Sequence, residues 1–250
     1  GFIALAGVAA EFGVIMLIIA KPLGAIIKVK NEAFPFMMGG FEMGMLGYAL
    51  FTSFYGEAQL GKMALVDLGQ VLFVFTVLMT LLIRHKGQHF DLGTLVLRII
   101  TSPVMIAIIL GLLANARILV LRSNAFTRQL DEVLDILASL TMPLIALSIG
   151  YGIRITKESL GSALKTIAAR KAVLIVFAVV INLLIVRLAL QMDRIYEMAV
   201  LLMFLMPSPF IVSIYIDDKK KNLVDYVDTT LSLDSVISIF TVMGAVLLLG

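Results

Sequence analysis

The chain has 250 residues, 61% of them hydrophobic and 15% charged, with a mean hydropathy of +1.07; a water-facing domain carries about 25% charge, so a soluble globular protein is excluded. It contains no cysteine, which rules out a disulfide framework and a thiolate metal site, and its net charge of +3 is too small to argue for a nucleic-acid partner. What remains is an all-α polytopic protein whose first partner is the lipid bilayer.

Mostly apolar runs of the ~20 residues that cross a bilayer recur eight times, at about 2–27, 35–56, 62–83, 92–114, 134–153, 167–190, 195–216 and 230–249. The opening, GFIALAGVAAEFG, has neither an initiator Met nor a basic n-region. It is therefore not a signal peptide and reads as the start of a fragment. The stretches between the runs, for example 28–32, 84–91, 154–158 and 217–221, are short, carry most of the charge and leave no room for a soluble domain between spans. With residues 154–171 counted as connector, twelve of the 20 Lys and Arg fall on one side and six on the other. Basic connectors stay in the cytoplasm, which puts residues 219–221 inside and the C-terminus outside. Arg154, Lys157 and Lys165 then read as cytoplasmic anchors. Glu11 and Lys21, near the first run, either line an aqueous path or snorkel to an interface.

In the second run, FPFMMGGFEMGMLGYALFTSFYGE at 34–57, lipid alone does not explain the residues. Glu42 is a carboxylate in hydrocarbon and must be protonated, paired or turned toward water. It binds a proton, meets a donor on a solute or holds an opened helix; the alternative is a structural glutamate bonded to a neighbouring backbone. Gly39, Gly40, Gly44 and Gly47 permit unwound main chain, or simply let helices approach closely. In the seventh run, AVLLMFLMPSPFIVSIYIDD, Pro207 and Pro209 each lack an N–H and obstruct the preceding turn, so the helix opens or kinks. Ser208 and Ser213 are hydroxyls beside that break. Two interrupted spans at matching places in two halves point to a transporter site.

The match is reinforced by an echo. VLFVFTV at 71–77 resembles VISIFTV at 236–242, and each follows an aspartate, Asp67 or Asp234. The copies lie on the third and eighth runs, five steps apart, which predicts two five-helix repeats, the second inverted, with two helices missing before residue 1. Asp67 and Asp234 form a network, bind an ion or cap the starts of their spans; a paired-carboxylate hydrolase would need them to share a proton, which spacing does not show, and no enzyme is expected. Tyr48, Gln70, Ser139, Thr141 and Pro143 add polar atoms or a helix break, although Ser and Thr often bond back to their own helix. His85 and His89 lie in a connector without a membrane carboxylate beside them, so no metal site is expected. The fourteen Met residues are scattered and read as packing. With no Walker lysine, dinucleotide glycine pattern or haem motif, no cofactor is expected beyond H+ or Na+ as coupling ion.

Several segments carry a family resemblance. They are Gly40-Phe41-Glu42-Met43-Gly44-Met45-Leu46-Gly47 with Ala64-Leu65-Val66-Asp67-Leu68-Gly69, then Leu140-Thr141-Met142-Pro143-Leu144 running into Ser148-Ile149-Gly150, then Met206-Pro207 with Leu231-Ser232 and Ser235. Through them the whole chain resembles a bacterial member of the auxin efflux carrier family, the group of the plant PIN carriers and the malate or malonate carriers, within the bile acid, auxin and arsenite transporter superfamily. The resemblance implies a ten-helix fold of two inverted five-helix repeats. Residues 1–83 would be helices three to five, and residues 84–250 the second repeat. It also implies that the second and seventh runs cross at unwound points. The expected activity is secondary active transport, as an efflux carrier of a small organic anion such as a carboxylate or dicarboxylate. One domain would move, elevator-like or rocking, against a scaffold that forms a homodimer, in the cytoplasmic (inner) membrane of a prokaryote.

Two departures qualify the substrate. The family's asparagine in the first crossing segment is Glu42 here, and its polar residue after the second crossing proline falls near Phe210. An ionised Glu42 repels an anion; either it is protonated during binding, which couples transport to protons, or the solute is not a simple dianion. The alternatives are a sodium-coupled carrier like the bile acid symporters, which share the crossed helices, a membrane sensor or interaction protein that keeps the carrier fold, and a channel.

Overall fold

Every regular element described is helical, because main chain in hydrocarbon must satisfy its own hydrogen bonds. The structure, a computed structural model, describes residues 2–87, 93, 97, 101, 106, 110, 125–140, 143–144, 147, 150–151, 153–217 and 219–249. The chain divides into two units, Gly1–Gln88 with Gly152–Gly250, and His89–Tyr151.

In the larger unit, α1 (Phe2–Ile27) is followed by a broken helix: α2 (Phe34–Met38), then a π turn at Met43–Gly47 leading into α3 (Tyr48–Tyr55). Next, α4 (Leu60–Phe73) continues through a π turn at Val74–Leu78 into α5 (Met79–His85). In the smaller unit, α6 (Ala125–Ser139) exposes Val133, Leu134, Ile136 and Leu137. The larger unit resumes with α7 (Lys157–Ile181), which runs on through a π turn at Asn182–Ala189. A second broken helix, α8 (Arg194–Leu205) and α9 (Ile211–Tyr215), leads to α10 (Lys221–Leu249). Among the described residues, Glu57–His85, Lys157–Ala189 and Lys221–Leu249 are long and apolar enough to cross a membrane. The protein is an all-α, multi-pass membrane protein.

The core of the larger unit forms where α1, α4, α7 and α8 meet. The Phe12 ring lies 4.4 Å from that of Phe177 and 4.8 Å from that of Phe204. Gly13 lets α4 approach, since a Cβ there would fall 2.6 Å from the Phe73 ring. On α7 the buried residues Ala163, Ile167, Arg170, Lys171, Leu174, Ala178 and Ile181 follow helical spacing along one stripe. Leu160, Leu164, Ile175, Val176, Val179 and Val180 face outward. Arg170 and Lys171 point in while the outward face beside them is apolar, as a lipid-exposed helix demands.

The structure corrects three sequence expectations here. The sixth span begins at Lys157 rather than near 167, and the eighth at Lys221 rather than near 230; hydropathy stopped at charged residues that the helices carry within them. Arg170 and Lys171, counted with a cytoplasmic connector, lie inside α7 with 0% and 8% of their surface exposed. Removing them leaves ten basic residues against six, a weaker bias. The connectors grouped on one side do meet: Glu32 Oε2 is 2.7 Å from Lys220 Nζ and 3.6 Å from His85 Nε2. At another connection Lys62 Nζ is 2.5 Å from Asp193 Oδ2. The Lys220 ammonium holds the Glu32 carboxyl below its ordinary value, and Lys62 does the same for Asp193. The run at 92–114 lies largely outside the described residues.

Candidate functional site

Each broken helix opens where its own sequence forbids a helix. Gly39 is extended (φ −92°, ψ 142°) and Gly40 has φ +74°, a conformation open to glycine. Met206 is held extended at ψ 154° by the proline that follows it, and α8 ends at Leu205. The openings meet. Glu42 N–H donates to Pro207 O at 2.9 Å, and Ser208 Oγ donates to Met37 O at 2.6 Å. A Cβ on Gly40 would lie 3.0 Å from Pro209 Cγ and 2.9 Å from Val74 Cγ2, so this approach requires glycine.

The amide starts of the second halves share one carboxylate. Glu42 Oε1 accepts from Met45 N–H at 3.1 Å, and Oε2 accepts from Phe210 N–H at 2.8 Å. Glu42 is 8% exposed, whereas Gly44 beside it is open. Asp67, 2% exposed, accepts from Tyr48 Oη at 3.0 Å and from Gln70 Nε2 at 3.1 Å. Gln70 Nε2 also donates to Phe41 O at 3.0 Å, while its buried Oε1 has no hydrogen-bond partner.

The carbonyl ends of the first halves face two cations. Arg170 donates to Met37 O (3.2 Å), Met38 O (2.6 Å) and Gly40 O (2.6 Å), and its guanidinium sits 5.3 Å from the Phe41 ring centroid. Lys171 Nζ donates to Leu205 O (2.5 Å), Met206 O (3.3 Å) and Ser238 Oγ (2.7 Å). Asp234, fully buried, joins both: its Oδ1 is 3.0 Å from Lys171 Nζ and its Oδ2 is 3.8 Å from Arg170 Nε. Asp234 Oδ2 also accepts from Ser208 N–H at 3.2 Å. Cations at carbonyl ends and a carboxylate at amide starts match the polarity of the helix dipoles. The crossing thus holds three carboxylates and two cations, and of the three it is Asp234 that is paired with them.

The structure thus gathers Glu42, Gly47, Tyr48, Asp67, Gln70, Pro207, Ser208, Pro209 and Asp234 at or beside one crossing. Gly47 makes room for the Met43 thioether, which a Cβ would approach to 2.6 Å. Ser213 is exposed and bonds back to Phe210 O at 2.9 Å. Ser139 and Pro143 belong to the smaller unit, both exposed, with Ser139 Oγ on Ile136 O of its own helix; Thr141 lies outside the described residues. Asp67 and Asp234 do not cap span starts, and their surroundings are not equivalent, since one meets neutral donors and the other two cations. Sequence reading missed Arg170, Lys171 and Ser238. A helical stripe drawn from Ala163 through Ile167 to Leu174 would have caught the two cations, because both fall on it. Comparison with known proteins adds no identity: no protein-family model, no curated protein and no solved structure matches this chain.

Proposed function

We propose that this chain is a secondary active transporter of the auxin efflux carrier type, which moves a small carboxylate or dicarboxylate by alternating access through the crossing. The observation that carries this reading is the Glu42 carboxylate held by the N–H groups of Met45 and Phe210 where two opened helices meet. Main chain is opened in a membrane helix where it lines a path or is covered by protein. Here two amides are held by a side chain that can gain a proton. When Glu42 takes up H+, its hold on the amides weakens, and the carboxylate of a solute takes its place. The site keeps its charge, so one proton accompanies each bound carboxylate group.

The inverted repeat draws support from the two breaks, from the echo of 71–77 at 236–242, and from Asp67 and Asp234 on the helices that carry it. Efflux, a dimeric scaffold and a prokaryotic inner membrane follow from the family resemblance. The test is uptake of labelled malonate or malate into liposomes containing the purified protein, across a pH series, with Glu42→Gln beside the parent. Saturable uptake that rises at acid pH is expected, and the variant should lose the pH dependence with about a tenfold fall in uptake, equal to ~1.4 kcal/mol. Uptake with the parent's pH profile in Glu42→Gln removes this mechanism. Flux without saturation identifies a channel, and binding without flux identifies a sensor.

A further inference from the structure

Lys171 Nζ is enclosed by four oxygens from two elements: Leu205 O and Met206 O at the open end of α8, and Ser238 Oγ and Asp234 Oδ1 on α10. Two carbonyls, a hydroxyl and a carboxylate are the oxygen donors that hard, spherical cations take. The ammonium is itself a compact point charge, and with three N–H groups for four oxygens it fills this shell as an ion would. Arg170 differs. Its planar fork reaches the carbonyls of Met37, Met38 and Gly40, at the end of α2 and just beyond it, a shape that a sphere does not copy. Without the Lys171 charge, two unpaired carbonyls would face a buried carboxylate whose remaining cation is Arg170, with Nε at 3.8 Å, an arrangement that buried polar groups do not tolerate.

We infer that the Lys171 ammonium is a resident cation, occupying a place at the crossing that would otherwise require a bound alkali cation such as Na+. The second broken helix then keeps its opened form in any salt. Sodium has no vacancy at Asp234, and Glu42 and Asp67 are left as the carboxylates of the crossing without a cationic partner among the described residues. The consequence for ion coupling rests on the carrier reading; the cation shell itself does not.

Thermal unfolding in detergent tests this at equal ionic strength in sodium, potassium or choline chloride. Lys171→Ala should unfold lower than the parent in choline and recover saturably as sodium or potassium is added, by more than the parent rises. A Lys171→Ala midpoint indifferent to the cation overturns the inference, as does a rise with sodium of the same size in variant and parent. If Lys171→Ala is not recovered folded, Lys171→Gln leaves Asp234 in place for Arg170 and should show the same saturable recovery with sodium or potassium; a Lys171→Gln midpoint indifferent to the cation overturns the inference. Since the readout is stability, a chain that fails to carry malonate can still pass, and the two readings fail separately.

Discussion

Gly40 shows how much of the crossing hangs on one residue. Its φ of +74° costs an L side chain about 1–2 kcal/mol, and an added Cβ would press on Val74 Cγ2 at 2.9 Å and Pro209 Cγ at 3.0 Å. Gly40→Ala should therefore lose about 2–4 kcal/mol of stability, strain and overpacking combined, read as a lower unfolding temperature in detergent by circular dichroism. Arg170→Met keeps the length but removes three carbonyl contacts and one of the two cations beside Asp234. Breaking one partner out of a buried ionic group costs about 3–5 kcal/mol, so this variant should be the more damaging, and Arg170→Lys should recover only part of the loss. Equal unfolding temperatures for Arg170→Met and the parent would remove the guanidinium from the account of how α2 ends.

The two broken helices were legible in the sequence because their causes are local: glycines at 39 and 40, prolines at 207 and 209. Glycine and proline act on their own φ and on the turn beside them, so no tertiary information is needed to place the interruption. The stripe on α7 was not legible in the same way. A lipid-facing helix is apolar on its outer face and apolar in most of its core, so periodicity carries little contrast, and an Arg–Lys pair near an end reads as an anchor. On α10, Thr230, Asp234 and Ser238 recur every fourth residue and are all buried, an inward polar line within the run at 230–249. Ser208 bridges the two breaks through Met37 O. Ser208→Ala should weaken their contact by about 1 kcal/mol, seen as faster amide exchange in residues 37–42 without a shift elsewhere; exchange unchanged there would make the hydroxyl incidental.

At the scale of the larger unit, Glu32 ties the connector at 28–32 to Lys220. Lys220 lowers the Glu32 pKa, so the contribution of this tie is present above the ordinary Glu value of about 4.3 and is lost as pH falls through the lower folded value. Amide exchange at 28–32 should accelerate, relative to the unfolded chain, only below that range. Glu32→Gln should show the open behaviour at every pH, and a parent connector equally loose at pH 7 and pH 3 would contradict the tie. By itself the sequence determined the class of the protein and the two points where helices open, since hydropathy and the chemistry of Gly and Pro act over one turn or one span. Only the tertiary structure decided what meets at those openings. Glu42 finds Phe210 across 168 positions and Arg170 finds Gly40 across 130, because the energy of opened main chain in a membrane depends on which charge the fold brings to it.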